Sequence, residues 1–439
     1  KVDGTPGSND MPCRLVFSTT ADGAATTTER LRIGSAGQIG IAGANYGTAG
    51  QVLTSQGSGQ PVEWRTIVQA PVISSITGNI FANSSGNSLT LAGLHFGSAQ
   101  GVLNFTQSSD SVNVNVNVTP SSDTALTVTV PSSVANNVTA GNAVTISFTN
   151  STGLVGDGTN TTVLALPSGG SITTSGNFRI HTFTSSGNFV LTKSTTIEYL
   201  VVAGGGGGGG NDGGQDFSGG SGGGGAGGHR TGSATPSAST HTITVGGGGS
   251  GNLNQFSGSD GNNSAFGSIT SNGGGGGGGC NQGGSNGRSG GSGGGAGGDD
   301  GSTVFNGGSG TSGQGNAGGS TGDVHAGGGG GGGAGGVGGG GDGHNGGNGG
   351  TGSASSINGS SVTRAGGGGG GVGAGNVNGS GGSGGGGAGA SRNTSAAVAG
   401  SANTGGGGGG AADSNVSSEQ DGANGGSGIV ILRYNVTNL

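Results

Sequence analysis

A glycine-dominated block, 204–428, constrains the fold of this chain more than any other feature of its sequence. Glycine accounts for 123 of the 439 residues. The glycine runs, broken at most by Ala or Val, lie at 204–210, 222–228, 246–249, 273–279, 293–298, 327–341, 366–371, 384–389 and 405–410. Apolar, β-prone stretches at 196–203 and 429–434 bracket the block, so we expect a strand at each end.

The block has two interpretations. Chains rich in Gly and Ser are commonly flexible linkers. Alternatively, the runs are extended polyglycine II helices packed side by side, with three residues per turn and no internal hydrogen bonds. Helices without side chains can approach closely and exchange N–H···O=C bonds. A dense lattice of such bonds is needed because ordering glycine has a large entropic cost.

Several features favour the lattice. Interruptions within the runs are mostly Ala, and Val337 and Val372 are the rare larger side chains. The segments between the runs are rich in turn-forming Ser, Asn and Asp, which suits antiparallel neighbours. The two bracketing stretches resemble strands of one sheet, which would close the block. We therefore predict a separate glycine-rich domain at 172–439, a polyglycine II lattice framed by strands at 178–202 and 429–436.

Two β-rich segments precede the block. Residues 1–69 carry short runs separated by glycine, each too short to bury a core alone. Residues 70–168 carry longer alternating runs, such as 112–118 and 144–148, which are typical of an antiparallel sandwich. Residues 178–183 and 187–191 have a hairpin-like pattern. The predicted fold class is mostly β and irregular, with almost no α-helix.

Composition and charge exclude several classes of function. The net charge is −7 and Lys and Arg form no cluster, so we expect no nucleic-acid partner. No apolar stretch approaches the length of a membrane span, so no membrane insertion is expected. Cys13 and Cys280 lie far apart, which makes a disulfide framework improbable. No catalytic set or metal-ligand spacing stands out, so we predict neither an enzyme, a metal site nor a cofactor.

The segments between the runs contain the rare large side chains of the block. Aromatic rings beside Asn, Gln and Asp suit recognition of sugars or of protein loops, by stacking plus hydrogen bonding. The alternative is that these side chains cap the ends of the lattice. The candidate receptor-binding residues are Phe217, Phe256, Phe266, Phe305 and Ile357.

Two segments before the block resemble known families. Residues 9–23 and 29–33, with 50–55 and 62–64, resemble a segment that recurs in bacteriophage tail fibres, which implies a trimeric, intertwined β shaft. The second segment is similar to the IPT/TIG immunoglobulin-like family at residues 71–76, 91–97 and 128–131. That resemblance implies a spacer or binding module.

The brackets of the block resemble a third family. Residues 198–203 before the first run, and 426–434 after the last, look like the opening and closing signatures of the glycine-rich domain of phage tail-fibre tips and related adhesins. Some members of that class fold as a layered polyglycine II sandwich whose distal loops contact the host surface.

Together these resemblances imply the distal part of a phage tail fibre, located in the virion and continuous with upstream fibre segments. The chain begins at Lys1, which fits part of a longer protein. A homotrimer would bind a host cell-surface glycan or an outer-membrane protein. One alternative is a structural surface or extracellular filament without a dedicated receptor. Another is ice binding by a flat polyglycine bundle, which leaves the first two segments without a role.

Overall fold

The chain forms two compact units. The computed structural model describes residues 13–211, 219–252, 256–280, 284–299, 303–322, 327–343, 345–373, 377–392, 395–413 and 421–439. The first unit comprises Lys1–Gly78, Ser88–Val138 and Asn142–Thr162, and the second comprises Asn79–Asn87, Thr139–Gly141 and Val163–Leu439. Helix in the described ranges is limited to one turn, α1 (Ser132–Ala135), and 3-10 turns at Ser108–Asp110 and Val436–Asn438. The expected fold class, mostly β with almost no α-helix, is confirmed.

The strands follow one another along the whole chain. The earlier ones are β1 (Leu15–Thr19), β2 (Thr28–Ile33), β3 (Ile39–Ile41), β4 (Gln51–Thr54), β5 (Glu63–Thr66), β6 (Val72–Thr77), β7 (Ile80–Phe81), β8 (Ser88–Leu94), β9 (Gly101–Gln107), β10 (Val112–Val118), β11 (Ala125–Thr129), β12 (Ala143–Thr149) and β13 (Thr159–Leu164). The later ones are β14 (Ser171–Ser175), β15 (Phe178–Phe183), β16 (Gly187–Val190), β17 (Ile197–Val202), β18 (His229–Ala234), β19 (Thr240–Thr244), β20 (Ser264–Phe266), β21 (Ile269–Ser271), β22 (Ser353–Ser355), β23 (Val362–Arg364) and β24 (Ile429–Asn435).

The first unit opens with two small antiparallel sheets. One has the order β1-β2-β3, and the other pairs β4 with β5. The side chains of Leu15 and Phe17 are 54% and 50% exposed, and Val52, Leu53 and Val62 are also exposed. These sheets therefore bury little apolar surface within one chain.

The rest of the first unit consists of two larger antiparallel sheets. One has the order β10-β9-β12-β13 and the other β11-β8-β6. Burial alternates along β8, β9 and β12, which confirms the two-residue periodicity of the sequence. Phe96 follows β8 and meets Phe148 of β12 edge to face, with ring centroids 5.5 Å apart. The two sheets thus share an apolar core.

The strands that bracket the glycine block lie side by side in the second unit. Their sheet has the order β14-β15-β24-β17-β18, in which β24 runs antiparallel to both neighbours. Leu432 of β24 lies opposite His181 of β15 and Tyr199 of β17. The expected pairing of the closing stretch with the entry strand is confirmed. Separately, β7 pairs in parallel with the last two residues of β13.

The expected hairpin at 178–191 is wrong. β15 lies in the closing sheet, whereas β16 belongs to a second sheet, ordered β16-β19-β20-β21. Phe183 and Phe189 both enter one apolar core with Phe266, Leu432 and Tyr434. The chain crosses between the sheets after β15, so that Phe183 enters the core from one sheet and Phe189 enters it from the other. In a flat hairpin both rings would belong to the same sheet.

The opposite face of the closing sheet supports the glycine block. Leu200 and Ile431 pack there against Ala226 of the run 222–228, against Ala365, which directly precedes the run 366–371, and against Ile357. Residue 357 lies in the loop between β22 and β23, which form a hairpin. Alanine is tolerated here because the sheet supplies side chains, rather than backbone, as neighbours.

The run 204–210 has the hydrogen-bond pattern of a polyglycine II lattice. Its amides point in three directions that repeat every third residue. Gly204, Gly207 and Gly210 donate to the segment 256–262 at 3.0, 2.9 and 3.0 Å. The amides of Gly205 and Gly208 donate to carbonyls in the segment 423–426. The amides of Gly206 and Gly209 donate to carbonyls in the segment 222–225.

Carbonyl groups of the same run accept bonds from three further neighbours. The first neighbour is 249–252, whose amides at 249 and 252 donate to Gly205 and Gly208. The second is 274–280, whose amides at 274, 277 and 280 donate to Gly204, Gly207 and Gly210. The third is 408–411, whose amides at 408 and 411 donate to Gly206 and Gly209. The run therefore has six hydrogen-bonded neighbours, three accepting and three donating. The run 219–228 shows the same three-residue repeat. Within the described residues the block is an ordered lattice rather than a flexible linker.

Candidate functional site

The runs alternate in direction, so one end of the lattice lies at the sheets and the other lies away from them. The chain leaves β17 through 204–211 and returns to β18 through 219–228, and later runs repeat this movement. A run of seven residues spans about 22 Å in this conformation. The end of the lattice away from the sheets is called the far end. It contains residues 211, 252, 280, 299, 322, 343, 373, 392 and 413.

Two of the predicted residues lie near the same segment at the far end. Phe256 is 66% exposed, and its carbonyl accepts the Gly210 amide at 3.0 Å. The ring of half-buried Phe305 covers Gly284, where an added Cβ would lie 2.3 Å from it. Ser257, next to Phe256, has its hydroxyl 3.3 Å from that of Ser285. The two phenylalanines therefore flank the same short segment, 284–285.

Val304 enlarges this apolar area and was not among the sequence candidates. Its side chain is 54% exposed and directly precedes Phe305. The backbone of Phe305 is fixed, because its amide bonds to the Thr321 hydroxyl at 2.9 Å and its carbonyl accepts the Thr321 amide at 3.0 Å. A β-branched residue beside a candidate aromatic ring is the signal that could have identified it. We call Phe256, Val304 and Phe305 the far-end apolar cluster.

The other predicted residues do not lie in this cluster. Phe266 is 3% exposed and packs edge-on against Phe189 in the core between the sheets, at 6.2 Å between centroids. Ile357 is 6% exposed and belongs to the core beneath the closing sheet. The expectation that these two are exposed contact residues is wrong, because each is the apolar residue through which its segment is anchored. Phe217 lies outside the described residues.

Buried polar groups and small apolar side chains lie inside the lattice near its far end. Asp413 is 1% exposed and forms an ion pair with Arg392, with 2.8 Å between Oδ2 and Nη2. Nearby Val372 packs with Ala390 and Ala412 in a small cluster. Buried ion pairs need such well-matched partners, because an isolated charge in this position is costly. These groups fill the interior of the lattice near its far end.

The part of the chain that the structure describes has neither a metal-binding cluster nor a membrane-spanning helix. No three His, Cys, Asp or Glu residues there lie close enough together to hold a metal ion. Cys13 is exposed and Cys280 is buried, and the two form no disulfide. Among the described residues, no helix is long and apolar enough to cross a membrane.

Part of the chain matches a known protein family. Residues 181–435 match the model of a family described as a glycine-rich domain. The matched range includes half of β15 and all of β17, β18 and β24, so it contains most of the closing sheet as well as the lattice. No curated protein matches the chain.

Proposed function

Because this chain belongs to the glycine-rich domain family, we propose that its lattice serves as the tip of a bacteriophage tail fibre and binds a host cell surface. The observation that carries the proposal is the far-end apolar cluster, which a firm lattice holds away from the sheets. Exposed aromatic rings on a fixed backbone suit binding, because little conformational entropy is lost when they are covered. The receptor is a surface glycan or an outer-membrane protein.

The first residues of the chain support the fibre part of this proposal. β1 and β4 leave Leu15, Phe17, Val52 and Leu53 exposed. Apolar side chains on such small sheets are stabilised when further copies cover them. We propose a homotrimeric shaft that continues into upstream fibre segments, with the sandwich of β6 and β8–β13 as an immunoglobulin-like spacer. Three tips on one shaft would raise avidity through multivalency without stronger single contacts. This is a binding role in the virion, without catalysis.

Adsorption to intact bacteria tests the proposal. The labelled full chain is incubated with a panel of bacterial strains, and the bound fraction is measured with and without excess unlabelled chain. We expect saturable binding to at least one strain. Phe256→Ser should weaken the binding affinity about tenfold or more, because truncating a central aromatic contact commonly costs about 2 kcal/mol of binding free energy. The matched control is Val337→Ser, since Val337 is equally exposed at 66% but lies at the sheet end.

Two results would contradict the proposal. Equal loss in both variants would assign binding to general surface hydrophobicity rather than to the far-end apolar cluster. Absence of saturable binding to every strain, together with regular filaments of the purified chain in electron micrographs, would favour the structural alternative.

A further inference from the structure

A groove of about 490 Å³ lies on the flank of the second unit, beside the closing sheet. Its size falls in the range of clefts that hold small molecules. One wall comes from β17 and β18, and the other from the segment 354–357 of the β22–β23 hairpin. We call it the side groove, and the residues used below are Glu198, Thr231, Ser233, Ser356 and Arg433.

Strand register places the polar side chains of the groove together. Glu198 lies opposite Ser233 of β18 and opposite Arg433 of β24. Thr231 lies opposite Leu200, two residues along from Glu198 and therefore on the same face. Arg433 connects the two walls, because its Nη1 donates to the carbonyls of Ser356 and Ile357 at 3.2 and 3.4 Å.

The charges in the groove are already balanced. Both Nε and Nη2 of Arg433 donate to Oε2 of Glu198, at 3.1 and 2.7 Å, and the guanidinium lies over the ring of Phe178 at 4.6 Å from its centroid. With most donors engaged, Arg433 offers little to an anionic ligand. Its role is to hold the carboxylate in one orientation.

Several acceptors and donors in the groove have no partner among the described residues. Oε1 of Glu198 accepts no hydrogen bond there, and the exposed hydroxyls of Thr231 and Ser233 make none. A fixed carboxylate oxygen beside hydroxyl groups matches a ligand that carries several hydroxyls of its own. An apolar ligand would leave these groups desolvated and unpaired, which is costly.

We propose that the side groove binds a neutral saccharide, whose hydroxyls donate to Glu198 and exchange hydrogen bonds with Thr231 and Ser233. The site is separate from the far-end apolar cluster and does not depend on it. An adhesin of this kind would hold a surface glycan along its flank as well as a receptor at its tip. The proposal stands even if the far end binds nothing.

The test uses the full chain and single sugars, so it is independent of adsorption to cells. Saturation-transfer NMR and calorimetric titration are carried out with D-glucose, D-galactose, D-mannose and N-acetyl-D-glucosamine, and with inorganic phosphate as the anionic probe. We expect at least one neutral sugar to bind with a millimolar Kd and phosphate not to compete. Removing one hydroxyl in Thr231→Val should raise that Kd about fivefold.

A matched control lies on the same sheet. Thr173 is an exposed residue of β14, at the opposite edge from β18, and Thr173→Val should leave the Kd within twofold. Ser233→Ala serves if Thr231→Val alters the fold, since it removes a second hydroxyl without adding volume. The proposal is overturned if no sugar binds, if phosphate displaces the sugar, or if the groove variants bind as the control does.

Discussion

At the residue scale, glycines that look alike in the sequence differ sharply in how much space surrounds them. Gly208 lies inside the lattice, where an added Cβ would be 1.9 Å from the carbonyl oxygen of Gly409. Gly247 lies in another run, where the nearest atom to an added Cβ is Asn262 Nδ2 at 3.7 Å. The sequence predicts that runs pack closely, but not which run lies at the centre, because that depends on contacts between distant segments.

Alanine at these two positions should therefore have opposite effects. We expect Gly208→Ala to lower the free energy of unfolding by about 3 kcal/mol or more, since backbone rather than a movable side chain occupies the space. Gly247→Ala should be neutral or stabilising by up to about 1 kcal/mol, because alanine restricts the unfolded chain. Scanning calorimetry of the two variants gives the measurement. Equal melting temperatures would mean that Gly208 is not enclosed.

At the element scale, the edges of the lattice are completed by side chains spaced three residues apart. Where a neighbouring run offers no backbone carbonyl, a side-chain oxygen accepts its amide instead. The pairs, donor first, are Gly273–Asn263 and Gly276–Asp260, Asn306–Asn286 and Ser309–Ser289, and Val377–Asn345 and Ser380–Asn348. The three-residue spacing matches the repeat of polyglycine II. These polar residues thus satisfy edge amides as well as favouring turns.

Asn348 provides the clearest test of this edge function. Its Oδ1 accepts both the amide and the hydroxyl of Ser380, each at 2.9 Å. Asn348→Ala should speed amide exchange at Ser380 about tenfold, because the amide loses its acceptor. Asn348→Asp keeps an oxygen in place and should retain protection. Exchange is followed by mass spectrometry of the 377–383 peptide, and equal rates in both variants would rule out the side chain as the acceptor.

The strands that the sequence predicted best are those with a strong two-residue period or a continuous apolar run. β10, β12 and β24 are examples. The hairpin at 178–191 failed because a short turn-like segment fits a hairpin and a crossing between sheets equally well. The candidate site was predicted in part: Phe256 is exposed as expected, but Phe266 follows the same pattern and lies in the core. Local composition cannot separate a ring at a loop tip from one that anchors a short strand.

At the scale of the whole molecule, the closing sheet connects the two ends of the glycine block. His181 of β15 lies at its centre, fully buried, stacked on Tyr434 of β24 at 5.8 Å between centroids. Its Nδ1 lies 2.7 Å from the Gly169 carbonyl. Burial, assisted by the nearby charge of Arg179, lowers the pKa of His181 from 6.5 to about 4. Protonation at this point would weaken the contact that holds the block closed.

The unfolding of the second unit should therefore depend on pH. Between pH 6.5 and about 4 the unfolded chain binds a proton at His181 and the folded chain does not, so stability is complete above pH 6.5 and falls as the pH drops. Between pH 7 and pH 4.5 the expected loss is about 2 kcal/mol. Urea unfolding at pH 7 and pH 4.5 measures it. His181→Phe should be less stable at pH 7, since it loses the Gly169 contact, but should lose less stability on acidification.

The matched control is His241→Asn, which removes a histidine from β19 and leaves His181 in place. It should retain most of the loss between pH 7 and pH 4.5. His229 remains in both variants, and because burial also lowers the pKa of His229, some pH dependence should persist in each. The comparison between the two variants isolates the contribution of His181. An identical loss in both would place the acid sensitivity of the closed block elsewhere, and His181 would not be its pH-sensitive group.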